Sequence, residues 1–177
     1  MDKIRMRIEQ GFTFFFSSND MFSNWHIRDF VVKGITFNCG EQYMMFAKAK
    51  LFGDHEKAAE ILKEPDPREQ KRLGREVQGF VQAIWDEKCV QIMVAGLTQK
   101  FMQHKDMADL LVSTEGTELV EAAHNDRRWG IGVGIHDPAR FDKGKWRGLN
   151  LLGQVLTKVR SYILEKRMAY ESDGMSI

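Results

Sequence analysis

The pattern of apolar and polar positions changes near residue 54 of this 177-residue chain. From there onward, apolar residues recur every three or four positions, which is the spacing of amphipathic helices. The helices predicted from this spacing, from capping residues and from prolines cover residues 54–63, 66–75, 79–103, 106–111 and 149–167. The longest has an apolar stripe of Phe80, Ala83, Ile84, Val90, Met93, Val94, Leu97 and Phe101.

Short runs of β-branched and aromatic residues precede these helices. Strands are predicted for residues 3–7, 12–16, 30–32 and 35–37. Lys33 and Gly34 separate the last two runs and suit the turn of a β-hairpin. Residues 118–122 fit a helix or a strand, because periodicity does not decide over so few positions. The pattern predicts a mainly α, α+β fold with a small N-terminal hairpin or sheet.

The stretch TFNCGEQYMMFAKAKLFG, residues 36–53, predicts one helix with a defined start and end. Asn38 can cap its N-terminus, and Glu41, three residues later, can complete a capping box. Gly53 can end the helix in the left-handed conformation. On this interpretation Glu41 has a structural role.

The same glutamate also has the surroundings of a catalytic group. At about 100° per residue, Glu41 shares one helix face with Met44, Met45 and Lys48. The two methionines would partly dehydrate the carboxylate and raise its proton affinity, which acid–base catalysts often need. The pattern alone leaves both interpretations open.

Three other positions have the side chains to contact a ligand. In the loop SNWH, residues 23–26, Asn24 can hydrogen-bond a ligand and Trp25 can stack on one, although such a tryptophan more often anchors a turn. Arg75 can hold a phosphate bidentately, although an exposed arginine is the commoner case. Beside it, Gly74 would allow close helix packing.

Residues 124–150, HNDRRWGIGVGIHDPARFDKGKWRGLN, least resemble an ordinary core segment. Three glycines stand at alternate positions: Gly130, Gly132 and Gly134. They would let the backbone approach a ligand, but their spacing is not that of a GxGxxG turn. Asp126 precedes Trp129 by three residues, and the segment ends at Asn150 with the same combination of tryptophan, glycine and amide. A loop this long is usually functional or disordered, and its tryptophans argue against disorder.

Composition and charge limit the class of protein. With 43% hydrophobic and 29% charged residues, we expect a single domain over residues 1–170 and a flexible tail over 171–177. The absence of a long apolar run or a signal-peptide core favours a cytoplasmic protein without membrane contact. Cys39 and Cys89 lack a disulfide or metal-binding pattern, so both are predicted to be buried thiols.

The net charge of +1 argues against a protein that coats long nucleic acid, but the charge is uneven. Residues 127–167 hold ten Lys or Arg against three acidic residues, so they carry +7 and the rest of the chain carries −6. This C-terminal third either faces phosphate or presents solvated helix faces.

Seven pieces of the sequence, in their order and spacing, resemble the NADAR family, the YbiA-like proteins. No piece is specific alone, but together they cover nearly the whole chain. The pieces are FFSSND with FSNW, GITFNCGEQYMMFAKAKLF, LGR at residues 73–75, Trp85, KF at residues 100–101, LVEAAHNDRRWGIG and KWRGLNLLGQVLTKVR.

The resemblance implies a compact YbiA-like helical domain and N-glycosidase activity, the hydrolysis of a bond between ribose C1′ and a nitrogen. Members of the bacterial YbiA type act on early riboflavin-pathway intermediates that carry ribose 5-phosphate, and others act on ADP-ribosylated guanine. The expected partner is therefore a ribosyl-base phosphate or ADP-ribosylated guanine in DNA or RNA. No cofactor, metal or obligate protein partner is implied.

The family's functional residues match this chain at five positions: Glu41, Lys48, Trp85, Asp126 and Trp129. The chain departs from the family at two others. Met44 stands where many members have Gln, and Ile131 stands where some have Asp. A mechanism that needs a carboxylate at the second position would not apply here.

Cleavage of a C1′–N bond builds positive charge on the sugar and negative charge on the base, so it needs a carboxylate, a proton source and water. Glu41 is predicted to activate the water, and Asp126 to assist at the ribose hydroxyls or the base. Lys48 and Arg75 would hold phosphate. The stacking candidates are Trp25, Trp85 and Trp129, and the other predicted contacts are Asn24, Gly130 and Asn150.

Two other functions stay open: a non-catalytic module for ADP-ribose-like or NAD-like ligands, and a nucleic-acid-binding protein that uses the basic C-terminal third. The presence of both Glu41 and Asp126 favours the enzyme, because a binding module has no need of paired acids.

Overall fold

The structure, a computed structural model, describes residues 6–172. The described residues form six α-helices, five strands and two 3-10 helices. In chain order these are β1 (Arg7–Glu9), β2 (Phe12–Phe15), β3 (Phe30–Val32), β4 (Ile35–Phe37), α1 (Gly40–Leu51), α2 (His55–Lys63), α3 (Pro67–Arg75), α4 (Gln82–Met102), α5 (Lys105–Val112), β5 (Glu118–Glu121), the 3-10 helices Pro138–Phe141 and Lys143–Lys145, and α6 (Leu151–Ser172). The predicted mainly α fold with a small β component is confirmed.

The chain divides into two compact units. We call Asn24–Gln103 the helical unit, and Met1–Ser23 together with His104–Ile177 the mixed unit. The expectation of one domain over residues 1–170 stays a prediction. Of the predicted tail, residues 171 and 172 belong to α6, and residues 173–177 lie outside the described residues.

In the helical unit, the hairpin of β3 and β4 leads directly into α1. The strands are antiparallel, with Phe30 opposite Phe37. Lys33 and Gly34 connect them with φ angles of 50° and 80°, so the predicted hairpin turn is confirmed. The Phe37 ring then packs edge-on against Tyr43 of α1 at 5.2 Å between centroids.

Helix α1 contacts α2, α3 and α4, and two glycines on its neighbours allow close approach. A Cβ atom on Gly74 of α3 would overlap Sδ of Met45, and one on Gly96 of α4 would overlap the Tyr43 ring. The Tyr43 hydroxyl also donates a hydrogen bond to the Ile92 carbonyl at 3.1 Å. These contacts fix α1 against two helices and confirm the packing role predicted for Gly74.

The end of α1 follows the prediction, but its start does not. Gly53 has a φ of 77° and donates to the Lys50 carbonyl, while Asp54 donates to the Ala49 carbonyl, which is the Schellman pattern. The predicted Asn38–Glu41 capping box is wrong. The N-cap is Cys39, whose Sγ accepts from the Gln42 N–H.

Asn38 does not cap α1 because tertiary contacts use its side chain. Its Nδ2 donates to the Pro65 carbonyl at 2.8 Å, and its Oδ1 accepts from Gln70 at 3.0 Å. The Cys39 thiol in turn donates to Gln70 Oε1. Glu41 therefore has no capping role at the start of α1.

The predicted stripe of the longest helix is partly wrong. Helix α4 begins at Gln82, and Phe80, Ala83 and Ile84 are exposed. Its buried face consists of Trp85, Cys89, Met93, Gly96, Leu97, Lys100 and Phe101. Met93, Leu97 and Phe101 belong to the predicted stripe as well, but an apolar-position pattern misses the glycine needed for close packing and the lysine.

In the mixed unit, β2 lies between β1 and β5 in a three-stranded sheet. Strand β1 is antiparallel to β2, and residues 3–5 of its predicted span lie outside the described residues. Residues 118–121 form a strand because they pair in parallel with β2, with Phe12 opposite Glu118. The buried cluster beside this sheet consists of Phe14, Val120, Ala122, Ile131, Val133 and Ile135.

Within residues 6–172, no helix is both long enough and apolar enough to cross a bilayer. Cys39 and Cys89 are both buried thiols, as predicted.

Candidate active site

Glu41 is the second residue of α1 and is only 2% exposed. Its backbone N–H donates to the Asn24 carbonyl at 2.9 Å. Its carboxylate oxygen Oε2 accepts a hydrogen bond from the Trp25 indole Nε1 at 3.2 Å. The helix N-terminus further favours the negative charge. The structure thus places Glu41, Asn24 and Trp25 together.

Asn24 is held against the start of α1. A Cβ atom on Gly40 would lie 2.7 Å from Asn24 Oδ1, so the glycine makes room for the amide. Among the described residues, no donor hydrogen-bonds this oxygen, although Asn24 is 6% exposed. A buried amide oxygen without a donor is costly, so its position suits a ligand donor.

Lys48 lies two helical turns beyond Glu41, about 10 Å along the axis. Its Nζ donates to the Gly74 carbonyl at 2.7 Å and lies 4.2 Å from the centroid of the Phe80 ring. The lysine therefore reaches the C-terminal end of α3, where its charge is favourable. Arg75 is the next residue after Gly74 and is exposed.

Two tryptophans of the helical unit, Trp25 and Trp85, were predicted as candidates to stack on a ligand. Trp85 is buried on the inner face of α4, at 5% exposed. Trp25 is only partly buried, and Lys71 Nζ lies 6.0 Å from its ring centroid. Because Trp85 is buried and Trp25 is partly exposed, Trp25 is the better placed of the two to contact a ligand.

The four site residues predicted in the mixed unit also form one group. Asp126 Oδ1 accepts the N–H groups of Arg128, Trp129 and Gly130 at 2.9, 2.8 and 3.4 Å. This carboxylate oxygen organises the turn. A Cβ atom on Gly130 would lie 2.9 Å from the Glu121 carbonyl, so the glycine serves close backbone packing.

Asn150 joins this turn to β5 through both ends of its amide. Its Oδ1 accepts from the Glu121 N–H at 3.1 Å, and its Nδ2 donates to the Leu119 carbonyl at 2.9 Å. Its backbone N–H donates to the Gly130 carbonyl, and its φ is 53°. The amide predicted to bind substrate therefore acts within the protein in this structure.

Sequence reasoning missed a buried lysine in the helical unit. Lys100 is 1% exposed, and its Nζ donates to the His26 carbonyl at 2.8 Å. Burial lowers the pKa of Lys100 to about 8, while burial raises the pKa of the nearby Cys39 thiol to about 11. The KF motif at residues 100–101 was the available signal, but a helical lysine is ordinarily solvated.

Within residues 6–172, no three side chains of His, Cys, Asp or Glu are grouped so that they could hold a metal ion.

Comparison with known proteins places this geometry in a family. Residues 13–164 match the model of the NADAR domain. The chain is 36% identical over 165 residues to Protein irg-1 of Caenorhabditis elegans, covering 84% of this chain and 78% of that protein. It is 40% identical over 120 residues to N-glycosidase R617 of Acanthamoeba polyphaga mimivirus, covering 68% and 71%.

A solved structure supports the same assignment. The NMR structure of the Escherichia coli protein YbiA is similar with a TM-score of 0.74 and 28% identity, covering 94% of this chain and 92% of that one. The likeness thus extends over most of both chains and both units. The chain belongs to the NADAR family.

Proposed function

We propose that this protein hydrolyses the C1′–N bond of a ribosylated base whose ribose bears phosphate, with Glu41 as the catalytic carboxylate. The observation that carries the proposal is a buried carboxylate oriented by an indole N–H, at 3.2 Å from Trp25 to Glu41 Oε2. Glu41 does not cap α1, so helix formation does not explain its burial. A buried acidic side chain whose burial helix capping does not explain is a candidate for a functional site.

The reaction needs a group that removes a proton from water while positive charge develops on the sugar. A carboxylate supplies both effects, because it accepts the proton and its charge stabilises an oxocarbenium-like transition state. The bond from Trp25 restrains one oxygen of Glu41 and so limits the orientations of the carboxylate. Fixed orientation lowers the reorganisation needed at the moment of bond cleavage.

The Asn24 amide supplies a contact for the sugar. Its Oδ1 is buried and accepts no hydrogen bond from the described residues, and it belongs to the loop that holds Glu41. A ribose hydroxyl is a donor of the right kind to satisfy it. We therefore assign ribose recognition to Asn24.

Lys48 and Arg75 are assigned to the phosphate. Lys48 is held at the end of α3, and the exposed Arg75 follows Gly74, whose carbonyl Lys48 contacts. A point charge beside a guanidinium suits a phosphate or diphosphate. The assistance expected from Asp126 and the choice of stacking tryptophan stay predictions, as does a cytoplasmic location.

A hydrolysis assay followed by mass spectrometry tests the proposal. Wild type would be offered ribosylaminopyrimidine phosphates and ADP-ribosylated guanine in DNA, with Glu41→Gln and Glu56→Gln beside it. Glu56 lies in the first turn of α2 but is exposed, so Glu56→Gln removes the same charge without touching the site.

Release of ribose 5-phosphate or of ADP-ribose that is lost in Glu41→Gln and kept in Glu56→Gln supports the proposal and identifies the substrate class. Tight calorimetric binding of ADP-ribose without turnover of either substrate would instead favour the binding module. Turnover that survives in Glu41→Gln would remove Glu41 from the chemistry.

A further inference from the structure

Lys100 lies on the inner face of α4, where a charged side chain is expensive. It is 1% exposed, and its Nζ lies 5.8 Å from the centroid of the Phe30 ring. Burial of an ammonium costs several kcal/mol unless partners compensate, and a methionine of similar length would avoid this cost. A role outside stability would explain the lysine.

The partner of Lys100 is the backbone of the loop that holds Glu41. Its Nζ donates to the carbonyl of His26 at 2.8 Å, and His26 directly follows Trp25. Lys100 thereby joins the last turn of α4 to the segment that carries the indole.

Three consecutive residues of this loop, Asn24, Trp25 and His26, each make a hydrogen bond to another element. The Asn24 carbonyl accepts the Glu41 N–H, the Trp25 indole donates to Glu41 Oε2, and the His26 carbonyl accepts from Lys100. The first two bonds end on Glu41 itself. The third joins the residue after Trp25 to α4.

We infer that Lys100 is a positioning residue, whose bond to the His26 carbonyl holds the Trp25 indole against the Glu41 carboxylate. The inference rests on the catalytic role proposed for Glu41. Without Lys100, the loop retains its contact with the start of α1 but loses the hydrogen bond from α4 to the His26 carbonyl. The Glu41 carboxylate would then sample orientations that do not react.

The test compares Lys100→Met with Lys88→Met, which removes an exposed lysine from the same helix. The first readout is the indole N–H resonance of Trp25 in ¹⁵N-tryptophan-labelled protein, assigned by its loss in Trp25→Phe. We expect this resonance to shift or broaden in Lys100→Met and to stay in place in Lys88→Met. If the Trp25 indole resonance of folded Lys100→Met has the same position and width as in wild type, the inference is overturned.

The second readout is the effect on kcat compared with the effect on KM, measured on the substrate that the hydrolysis assay identifies. Lys100→Met should lower kcat about tenfold or more and leave KM within about twofold, because the lysine orients a catalytic group and does not contact substrate. A rise in KM alone contradicts positioning. If Glu41→Gln proved fully active, the proposed function would fail, while the Trp25 resonance would still report whether Lys100 holds the loop.

Wild type provides a test should Lys100→Met not fold. The titratable or charged groups around Lys100 are Arg28 and Cys39, and Glu41 faces the indole. Because burial lowers the pKa of Lys100 to about 8, the Trp25 indole resonance should move with an inflection near pH 8. A resonance that stays constant from pH 7 to about 9.5 overturns the inference.

Discussion

The indole Nε1 of Trp25 donates a hydrogen bond to Oε2 of Glu41 across 3.2 Å, so a loop residue orients a carboxylate at the start of a helix sixteen positions later. The two alternatives for Trp25, anchor or stacking partner, are therefore not exclusive. Its N–H edge anchors Glu41, and its ring stays partly exposed.

Trp25→Phe should lower kcat by about tenfold, because phenylalanine keeps an aromatic ring but removes the N–H donor that orients Glu41. The measurement is steady-state turnover together with thermal unfolding. Trp146→Phe is a matched control, since it removes an indole donor whose partner is the Arg140 carbonyl in the mixed unit. Equal losses in the two variants would show a general effect of indole removal.

Glu41→Gln should cut turnover by about a hundredfold or more while leaving the fold intact. Glutamine keeps an oxygen that can accept from Trp25 but cannot take a proton from water. Because Cys39 is the N-cap of α1, loss of the carboxylate should not unravel the helix. A melting temperature well below that of wild type would return Glu41 to a structural role.

Gly74→Ala should destabilise the protein by about 1–3 kcal/mol, because the new Cβ would overlap Met45 Sδ where α1 meets α3. Denaturant unfolding measures the change. Addition of Met45→Ala should recover part of the loss, which a double-mutant cycle detects as coupling. Gly134→Ala is the control, since its Cβ would meet no atom closer than His124 Cβ at 3.7 Å.

Asp126→Asn and Asp126→Ala separate the two roles of this residue. Asparagine keeps an oxygen for the N–H groups of Arg128 and Trp129, so stability should change by less than about 0.5 kcal/mol. Alanine leaves those donors without this acceptor and should cost about 1–3 kcal/mol. If Asp126 assists the chemistry, Asp126→Asn loses turnover while its fold stays intact. If Asp126→Asn is fully active, the role of Asp126 is to organise the turn.

The stability that Lys100 contributes should rise with pH. Its pKa is about 8 in the folded protein against 10.5 when unperturbed, so between these values the unfolded chain binds more protons than the folded chain. The free energy of unfolding of wild type minus that of Lys100→Met should therefore increase by about 3 kcal/mol from pH 8 to pH 10.5.

Cys39 acts in the opposite direction. Its pKa is raised from 9.0 to about 11, so its contribution to stability is lost as the pH rises through that window. Both proteins contain Cys39, and the difference between them largely removes this contribution. Urea unfolding at several pH values measures the difference, and a flat or falling difference would contradict the burial of a charged Lys100.

Local sequence determined most of the helices and their ends in this protein. The Schellman end of α1 at Gly53 and the hairpin turn at Lys33 and Gly34 depend on backbone conformations that only a few residue types adopt readily. The order of the motifs also determined the family. The helix end and the turn are decided by residues close together in the chain, whereas the family is indicated by motifs along nearly its whole length.

The tertiary structure decided what the polar residues do. Asn38 was a sound capping candidate, but its amide is used by Pro65 and Gln70, and Cys39 caps the helix instead. The strand at residues 118–121 depends on its pairing with β2, more than a hundred residues earlier. The contacts of Asn38 with Pro65 and Gln70, and the pairing of β5 with β2, are long-range and do not follow from a local sequence pattern.

The same distinction separates Glu41 from Lys100. Sequence placed Glu41 on a face with two methionines, which was enough to nominate it, but only the fold brought Trp25 to its carboxylate. Lys100 occupies an ordinary helical position in the sequence, and its burial follows from packing against a loop 74 residues away. Periodicity records which side chains are apolar, whereas the function of a buried polar group is set by the distant partner that satisfies it.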